Sequence, residues 1–378
     1  MPSPQLPPEL LYDIINHLGA EEDYASLRAC ALTCRAFVSP TQAHIFRTLT
    51  LFRDSPAWLA KLESTPHIRT FIKHLRLVEY HKPWIQRSEV LNRMLGYLSS
   101  YVIFLDIHHQ RRKLESTRFD FPLLSRLKCV EEISLTERDP EGQGGTMDGD
   151  NALPRFLNHF PNLRGITFDG CWVWVQGADS KNDIAAPVFQ LERLHVYACY
   201  DALVLDWLVP ALSSLKTLHL QYMDPDIPIF SPTALPQLES LEHVEVRSLN
   251  YASNEELRSL MAAVAHSVNL RSITFMTSGS SSGHSPVEAA VKSLLFLGAH
   301  RHLQHLTIGF FQEDDPVDGS PWDELQDLLL GGRFPALRTV KLLFWLDSSG
   351  SNAASTEPFV VAVPRLAKKN MVYACYGR

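Results

Sequence analysis

Gly279-Ser280-Ser281-Ser282-Gly283 has the G-x-S-x-G spacing of a nucleophile elbow, in which a histidine oriented by an acid activates a serine hydroxyl. An elbow needs a strand that turns sharply into a helix, but here the strand pattern stops near Phe275 and the motif lies in a Ser/Gly-rich run. Between Ser281 and His305, the last histidine, the acid-then-histidine order finds only Glu288. No catalytic serine is expected. His300, His302 and His305 are enough imidazoles for a metal, yet His305 falls on a strand, the others precede it, and no carboxylate follows before Glu313. Cys30 and Cys34 lie one helical turn apart without further ligands, so they read as small apolar residues. The residues imply no metal, no cofactor and no enzyme.

Binding is the chemistry that remains. Arg193, His195 and Tyr197, then Thr217, His219 and Gln221, then His243, Glu245 and Arg247 alternate with apolar residues, so each trio shares one face of a strand. Strands about 4.8 Å apart would set these side chains in continuous rows. Histidines, two arginines and a tyrosine suit an acidic or phosphorylated protein segment. An ordinary solvated sheet face has the same composition, and nothing identifies the substrate. Because free imidazoles titrate near neutral pH, acidification is expected to strengthen capture of an anion.

The elements that must position these residues follow one template, apolar-x-x-apolar-x-apolar. It occurs as Ile72/Leu75/Leu77, Val102/Leu105/Ile107, Val130/Ile133/Leu135, Leu163/Ile166/Phe168 and Leu191/Leu194/Val196. It continues as Leu215/Leu218/Leu220, Leu241/Val244/Val246, Leu270/Ile273/Phe275, Leu303/Leu306/Ile308 and Leu337/Val340/Leu342, at intervals of 24–34 residues. The second and third positions point inward from a short strand. Helical spacing separates strands, as in Leu257, Leu260, Met261, Val264 and in Leu294, Leu295, Leu297. The pattern resembles the leucine-rich-repeat family, in irregular form. Cys171 and Cys199 stand where that family places a turn-satisfying Asn or Cys; Tyr80, Gln110, Arg138 and others replace it elsewhere. The resemblance implies an α/β solenoid, an irregular horseshoe in which each repeat buries its apolar face against its neighbours. Residues 51–346 are assigned to it. Residues 347–378 are read as a loop and a cap, with one helix and a strand around Met371–Cys375.

Composition sets outer limits. The 378 residues are 45% hydrophobic and 20% charged, which fits a folded chain. A balance of 35 Lys+Arg against 42 Asp+Glu gives −7, unsuited to holding a nucleic acid through many phosphates. No run approaches 18 apolar residues, so no membrane span is expected. The opening Met1-Pro2-Ser3-Pro4-Gln5 lacks a basic region and apolar core, so no signal peptide is expected. Six cysteines without a C-x-x-C pair fit a reducing compartment, cytosol or nucleus.

Residues 1–50 have a different texture. Pro7 and Pro8 fit the first turn of a helix with the stripe Leu10, Leu11, Ile14, Ile15 and Leu18. Asp23 is placed to cap a second helix carrying Leu27, Cys30, Ala31 and Cys34. Ser39-Pro40-Thr41-Gln42 reads as the capping box of a third, running through Phe46. A three-helix core of this size is small, so part of its apolar stripe faces a partner or the rest of the chain. Leu6-Pro7-Pro8-Glu9-Leu10-Leu11, Ile14, Leu18, Asp23, Ser26-Leu27, Cys30 and Cys34-Arg35-Ala36-Phe37 resemble the F-box family in order and spacing. Phe46-Arg47-Thr48-Leu49-Thr50-Leu51 is similar to the segment that ends the motif in fungal members; Phe37 stands where tryptophan is usual. The resemblance covers about 45 of the 378 residues. It implies docking on a Skp-type adaptor through Leu6, Pro7, Leu10, Ile14 and Leu18, with Leu27, Cys30, Cys34 and Phe37 packing or extending that face. The adaptor would join the chain to the cullin and RING subunits of a ubiquitin ligase, with the repeats selecting an unknown protein substrate. The alternative is a repeat scaffold that binds partners without directing ubiquitination.

Overall fold

The computed structural model describes residues 7–80, 84–110, 121–138, 152–170, 185–197, 205–221, 238–247, 254–278, 286–312, 320–346, 363–368 and 372–377. The chain divides into two compact units, one of residues 1–112, 119–141 and 159–163, the other of 113–118, 142–158 and 164–378.

The first unit opens with three helices, α1 (Pro8–Ala20), α2 (Tyr24–Thr33) and α3 (Arg35–Ile45). Pro8 occupies the first turn of α1, where its missing N–H has no intrahelical partner to lose. The Asp23 carboxylate accepts the Ser26 N–H at 3.1 Å and caps α2. The third helix corrects the sequence expectation, because no capping box at Ser39 opens it. It begins at Arg35, after Cys34 turns the chain in an extended conformation (φ −154°, ψ 157°), and Pro40 lies inside it. Proline there withholds one N–H from the helix. The hydroxyl of Thr41, fully buried, donates to the carbonyls of Phe37 at 2.6 Å and Val38 at 3.0 Å. Packing of α3 along α2 carries the helix through a residue that local propensity marks as a start.

After the helices come four parallel strands in chain order, β1 (Thr48–Leu51), β2 (His74–Glu79), β3 (Phe104–Gln110) and β4 (Glu132–Arg138). Helices α4 (Pro56–Ser64) and α5 (Glu89–Leu98) connect the first three. The connection into β4 contains a 3-10 turn, Pro122–Arg126. Register places Leu75, Leu105 and Ile133 side by side, then Leu77, Ile107 and Leu135, all 0–1% exposed.

The second unit repeats the arrangement with β5 (Gly165–Asp169), β6 (Arg193–Tyr197), β7 (Thr217–Gln221), β8 (His243–Arg247), β9 (Ser272–Ser278), β10 (His305–Gln312), β11 (Thr339–Leu346) and β12 (Val372–Gly377). These too are parallel and in chain order. Short helix α6 (Ala152–Leu157) precedes them, and α7 (Asn254–Ala265), α8 (Pro286–Leu297) and α9 (Ser320–Leu330) lie between the later strands. Helix α7 buries Leu260, Met261 and Val264, and α8 buries Leu294 and Leu297 while Leu295 stays exposed. Between β6 and β7 a 3-10 turn, Asp206–Ser214, replaces the expected α-helix, with Pro210 inside it. The expected terminal helix and strand are Pro364–Lys368 and β12. Every apolar position of the ten templates is buried, none above 9% exposure. Among the described residues no helix is long and apolar enough to cross a membrane.

This arrangement predicts that truncating one inward residue is costly while its outward neighbour tolerates change. Ile107→Ala should lower stability by about 2–5 kcal/mol, read from the urea midpoint, whereas Ser134→Ala should stay within about 0.5 kcal/mol. Equal effects would contradict the inward–outward assignment.

Candidate functional site

On the head, the structure separates residues that hold the helices together from those on its surface. Ile15 and Leu27 are fully buried, so Leu27 belongs to the core and not to a docking surface. Leu18, Cys30 and Phe37 are half-buried. Pro7 and Cys34 are exposed, and Leu10 and Ile14, one turn apart on α1, are each 48% exposed. Leu6 lies outside the described residues. Sequence reasoning missed Leu32, which is 88% exposed. The signal was available: Leu32 falls off the stripe of Leu27, Ala31 and Cys34.

In the second unit, the three expected trios lie side by side. Register aligns Arg193 with Thr217 and His243, His195 with His219 and Glu245, and Gln221 with Arg247. The His195 and His219 rings stack at 4.3 Å, 10° from parallel, and the Tyr197 ring stands edge-on to both. His219 Nδ1 lies 2.9 Å from the Tyr197 hydroxyl, and its Nε2 lies 3.7 Å from Glu245 Oε2. With an Nε2 proton facing the carboxylate, Nδ1 accepts from the phenol. Arg247 Nε donates to Glu245 Oε1 at 2.6 Å, and its guanidinium lies 5.8 Å from the Tyr197 ring. His243 is exposed, and Arg193 and Gln221 are half-buried.

The electrostatics overturn one expectation. Burial, then the neighbouring His219 and Arg193, pushes His195 down to about 4, and burial also lowers His219 against the opposing pull of Glu245. Burial, reinforced by Glu245, raises Tyr197 and keeps it a donor. His195 is therefore neutral at pH 7, and mild acid does not make it a cation for an anionic segment; His219 is shifted in the same direction. Stacked rings desolvate one another, and a second positive charge at 4.3 Å is unfavourable.

The first unit carries two polar clusters that sequence reasoning missed. Asp106, 3% exposed, accepts from Arg76 Nε at 2.7 Å and lies 2.9 Å from His108 Nε2 and 3.7 Å from His74 Nε2. Burial alone would raise its pKa, but the neighbouring His108, His74 and Arg76 hold the carboxyl well below the usual carboxylate range. Glu79 and His109 form a buried pair at 3.1 Å, and Glu79 also accepts the N–H groups of Trp84 at 2.7 Å and Ile85 at 2.9 Å. Here too burial opposes and His109 with the two amides prevails, lowering Glu79. Glu79 thus ties the end of its strand to the backbone of Trp84 and Ile85, and Tyr80 stacks on Phe52 at 6.0 Å, exposed. Cys171 and Cys199 lie outside the described residues, as does the Ser281 motif.

His300 is buried, and its Nε2 donates to the Ser267 carbonyl at 2.6 Å, while His302 and His305 are exposed. Among the described residues no three His, Cys, Asp or Glu side chains are grouped to hold a metal. Searched against protein-family models and against curated proteins, the chain matches none.

The imidazole assignment predicts a flat titration for His195 across neutral pH. Its ring C–H resonance, assigned by His195→Gln, should not shift between pH 8 and 6 and should move with a midpoint near 4. The unfolded value is near 6.5, so the unfolded chain binds more protons between those values. Stability should therefore fall as pH drops from about 6.5 toward 4. A midpoint near 6.5 would contradict the burial argument.

Proposed function

We propose that this chain is the non-catalytic, substrate-recognition subunit of a cullin-RING ubiquitin ligase. The reading assigns residues 1–50 to an F-box that docks a Skp-type adaptor, and the repeated strands to an irregular leucine-rich-repeat solenoid that binds the target protein. The observation that carries it is the apolar surface of the head. Leu10 and Ile14 stand half exposed on α1, at the positions the F-box resemblance gives to the adaptor, on a module whose own core is served by Ile15 and Leu27. Burying each such side chain in a partner is worth roughly 1–2 kcal/mol, enough in combination with Pro7 to anchor an interface.

The one-strand-per-repeat order supports the second half of the reading, since a row of outward strand positions is a preformed surface with little ordering cost on binding. Arg193, His195, Tyr197, His219, Gln221, His243, Glu245 and Arg247 are the proposed target-contacting residues. Arg247 already holds Glu245, and the two central imidazoles are neutral, so this surface would recognise its target by aromatic contact and hydrogen bonds more than by net charge.

Co-purification tests the adaptor assignment. The full chain should recover a Skp-type adaptor, and Pro7→Ala with Leu10→Ala should reduce recovery at least tenfold while the far-ultraviolet circular dichroism stays unchanged. Full recovery by the double variant would overturn the assignment.

A further inference from the structure

Within the first unit, the head and the starts of the four strands enclose a cleft of about 370 Å³. One wall is the end of α1 and its turn into α2, with Gly19, Glu22 and Tyr24, joined by His44 of α3. His44 Nε2 is tied to Asn16 Oδ1 at 3.0 Å, and its ring packs so closely on Gly19 that a methyl group there would collide with it.

The opposite side is two rows of residues set by backbone hydrogen bonds. Lys73 N–H donates to the Arg47 carbonyl at 2.9 Å, Ile103 N–H to Lys73 at 2.9 Å, and Glu131 N–H to Ile103 at 2.8 Å. The first row is therefore Arg47, Lys73, Ile103, Glu131. Strand register makes the second Thr48, His74, Phe104, Glu132. Both rows change character in the same order: hydrogen-bond donors or cations, then an apolar side chain, then an acid.

The charges at the poles of the first row are not spent within the fold. Elsewhere in the unit, Arg76 meets Asp106, Arg93 meets Glu63 and His109 meets Glu79. Arg47, Lys73 and Glu131 have no ion-pair partner among the described residues; Lys73 Nζ lies 5.7 Å from the Tyr101 ring. At a strand spacing of about 4.8 Å, the cations and the acid sit roughly 10–14 Å apart, too far to neutralise one another across water. Between them Ile103 is 41% exposed, facing a cleft that Tyr24, 39% exposed, also lines.

We propose that this cleft binds an extended peptide segment with an anionic side chain, phosphorylated or carboxylate, and a basic side chain three or four residues away, around an apolar residue. An extended chain advances about 3.3 Å per residue, so that spacing places its two charges over the two poles. The anion meets Arg47 and Lys73, the apolar side chain covers Ile103 and Phe104, and the base meets Glu131. None of the residues lining this cleft is among those assigned to the adaptor, so the two binding activities are measured with separate variants.

Fluorescence anisotropy of the full chain with labelled, end-blocked seven-residue peptides tests it. The first peptide carries glutamate and arginine four positions apart around a leucine, the second phosphoserine in place of glutamate, and the control glutamine at both charged positions. At least one charged peptide should bind at least tenfold more tightly than the control. Tighter binding of the phosphoserine peptide assigns a phosphate source, and equal or tighter binding of the glutamate peptide a carboxylate source. Arg47→Ala with Lys73→Ala should weaken the better peptide at least tenfold, and Glu131→Gln should weaken it only while its arginine is present. Arg47 and Glu131 are exposed and Lys73 is half-buried, so the melting temperature should hold. The proposal is overturned if neither charged peptide binds, if the control binds equally, or if the double variant binds like the wild type.

Discussion

Parallel strands in chain order cannot bury an apolar face alone, and that constraint shapes both units. Each strand needs a crossover before the next, so its inner side chains have only the neighbouring strand and the crossovers to pack against. Leu75, Leu105 and Ile133 in one unit, and Leu194, Leu218 and Val244 in the other, meet this by holding one register across successive strands. Uneven repeat length is absorbed in the crossovers. Four intervals of 29 to 34 residues carry α-helices of ten to twelve residues, α5, α7, α8 and α9. The shortest, from β6 to β7, carries the 3-10 turn Asp206–Ser214, which gains more length per residue.

A rigid register also determines which polar side chains meet. Arg76 and Asp106 are 30 residues apart in the chain but neighbours across two strands, and His195 stacks on His219 by the same rule. Such neighbours settle their charges locally. Asp106 is held ionised by Arg76 on the next strand, while Glu245 is bonded to Arg247 two residues along its own strand. The aligned histidines answer the same pressure by remaining neutral. The result is a polar sheet face whose pattern is fixed before any partner arrives, which lowers the ordering cost of recognition.

The strands were legible because period-two apolar alternation, recurring every 24–34 residues, is the signature of stacked strands with one buried face, and all ten templates became parallel strands. The first two head helices were legible from Pro8 and Asp23, whose roles are local. The start of α3 was not, because Pro40 reads as a helix start by propensity and only the packing around Thr41 reveals it as interior. Glu79 and Asp106 were missed for a different reason. An acid at one strand position looks the same whether solvated or buried, and the difference lies in what the register sets beside it. That information was present, since equivalent template positions align Arg76 with Asp106 and Glu79 with His109, but it emerges only when repeats are compared row by row. The neutrality of His195 was out of reach, because burial of a stacked pair is a property of the folded surface.

The account's central claim is that the exposed apolar face of α1 is an adaptor-docking surface while the strand rows stay available to another partner. Amide hydrogen exchange on the full chain, with and without a Skp-type adaptor at saturating concentration, tests this most directly. Added protection confined to the three head helices, centred on Leu10 to Leu18, is the predicted result. Protection spread over the amides of β6 to β8 with none on the head would contradict it.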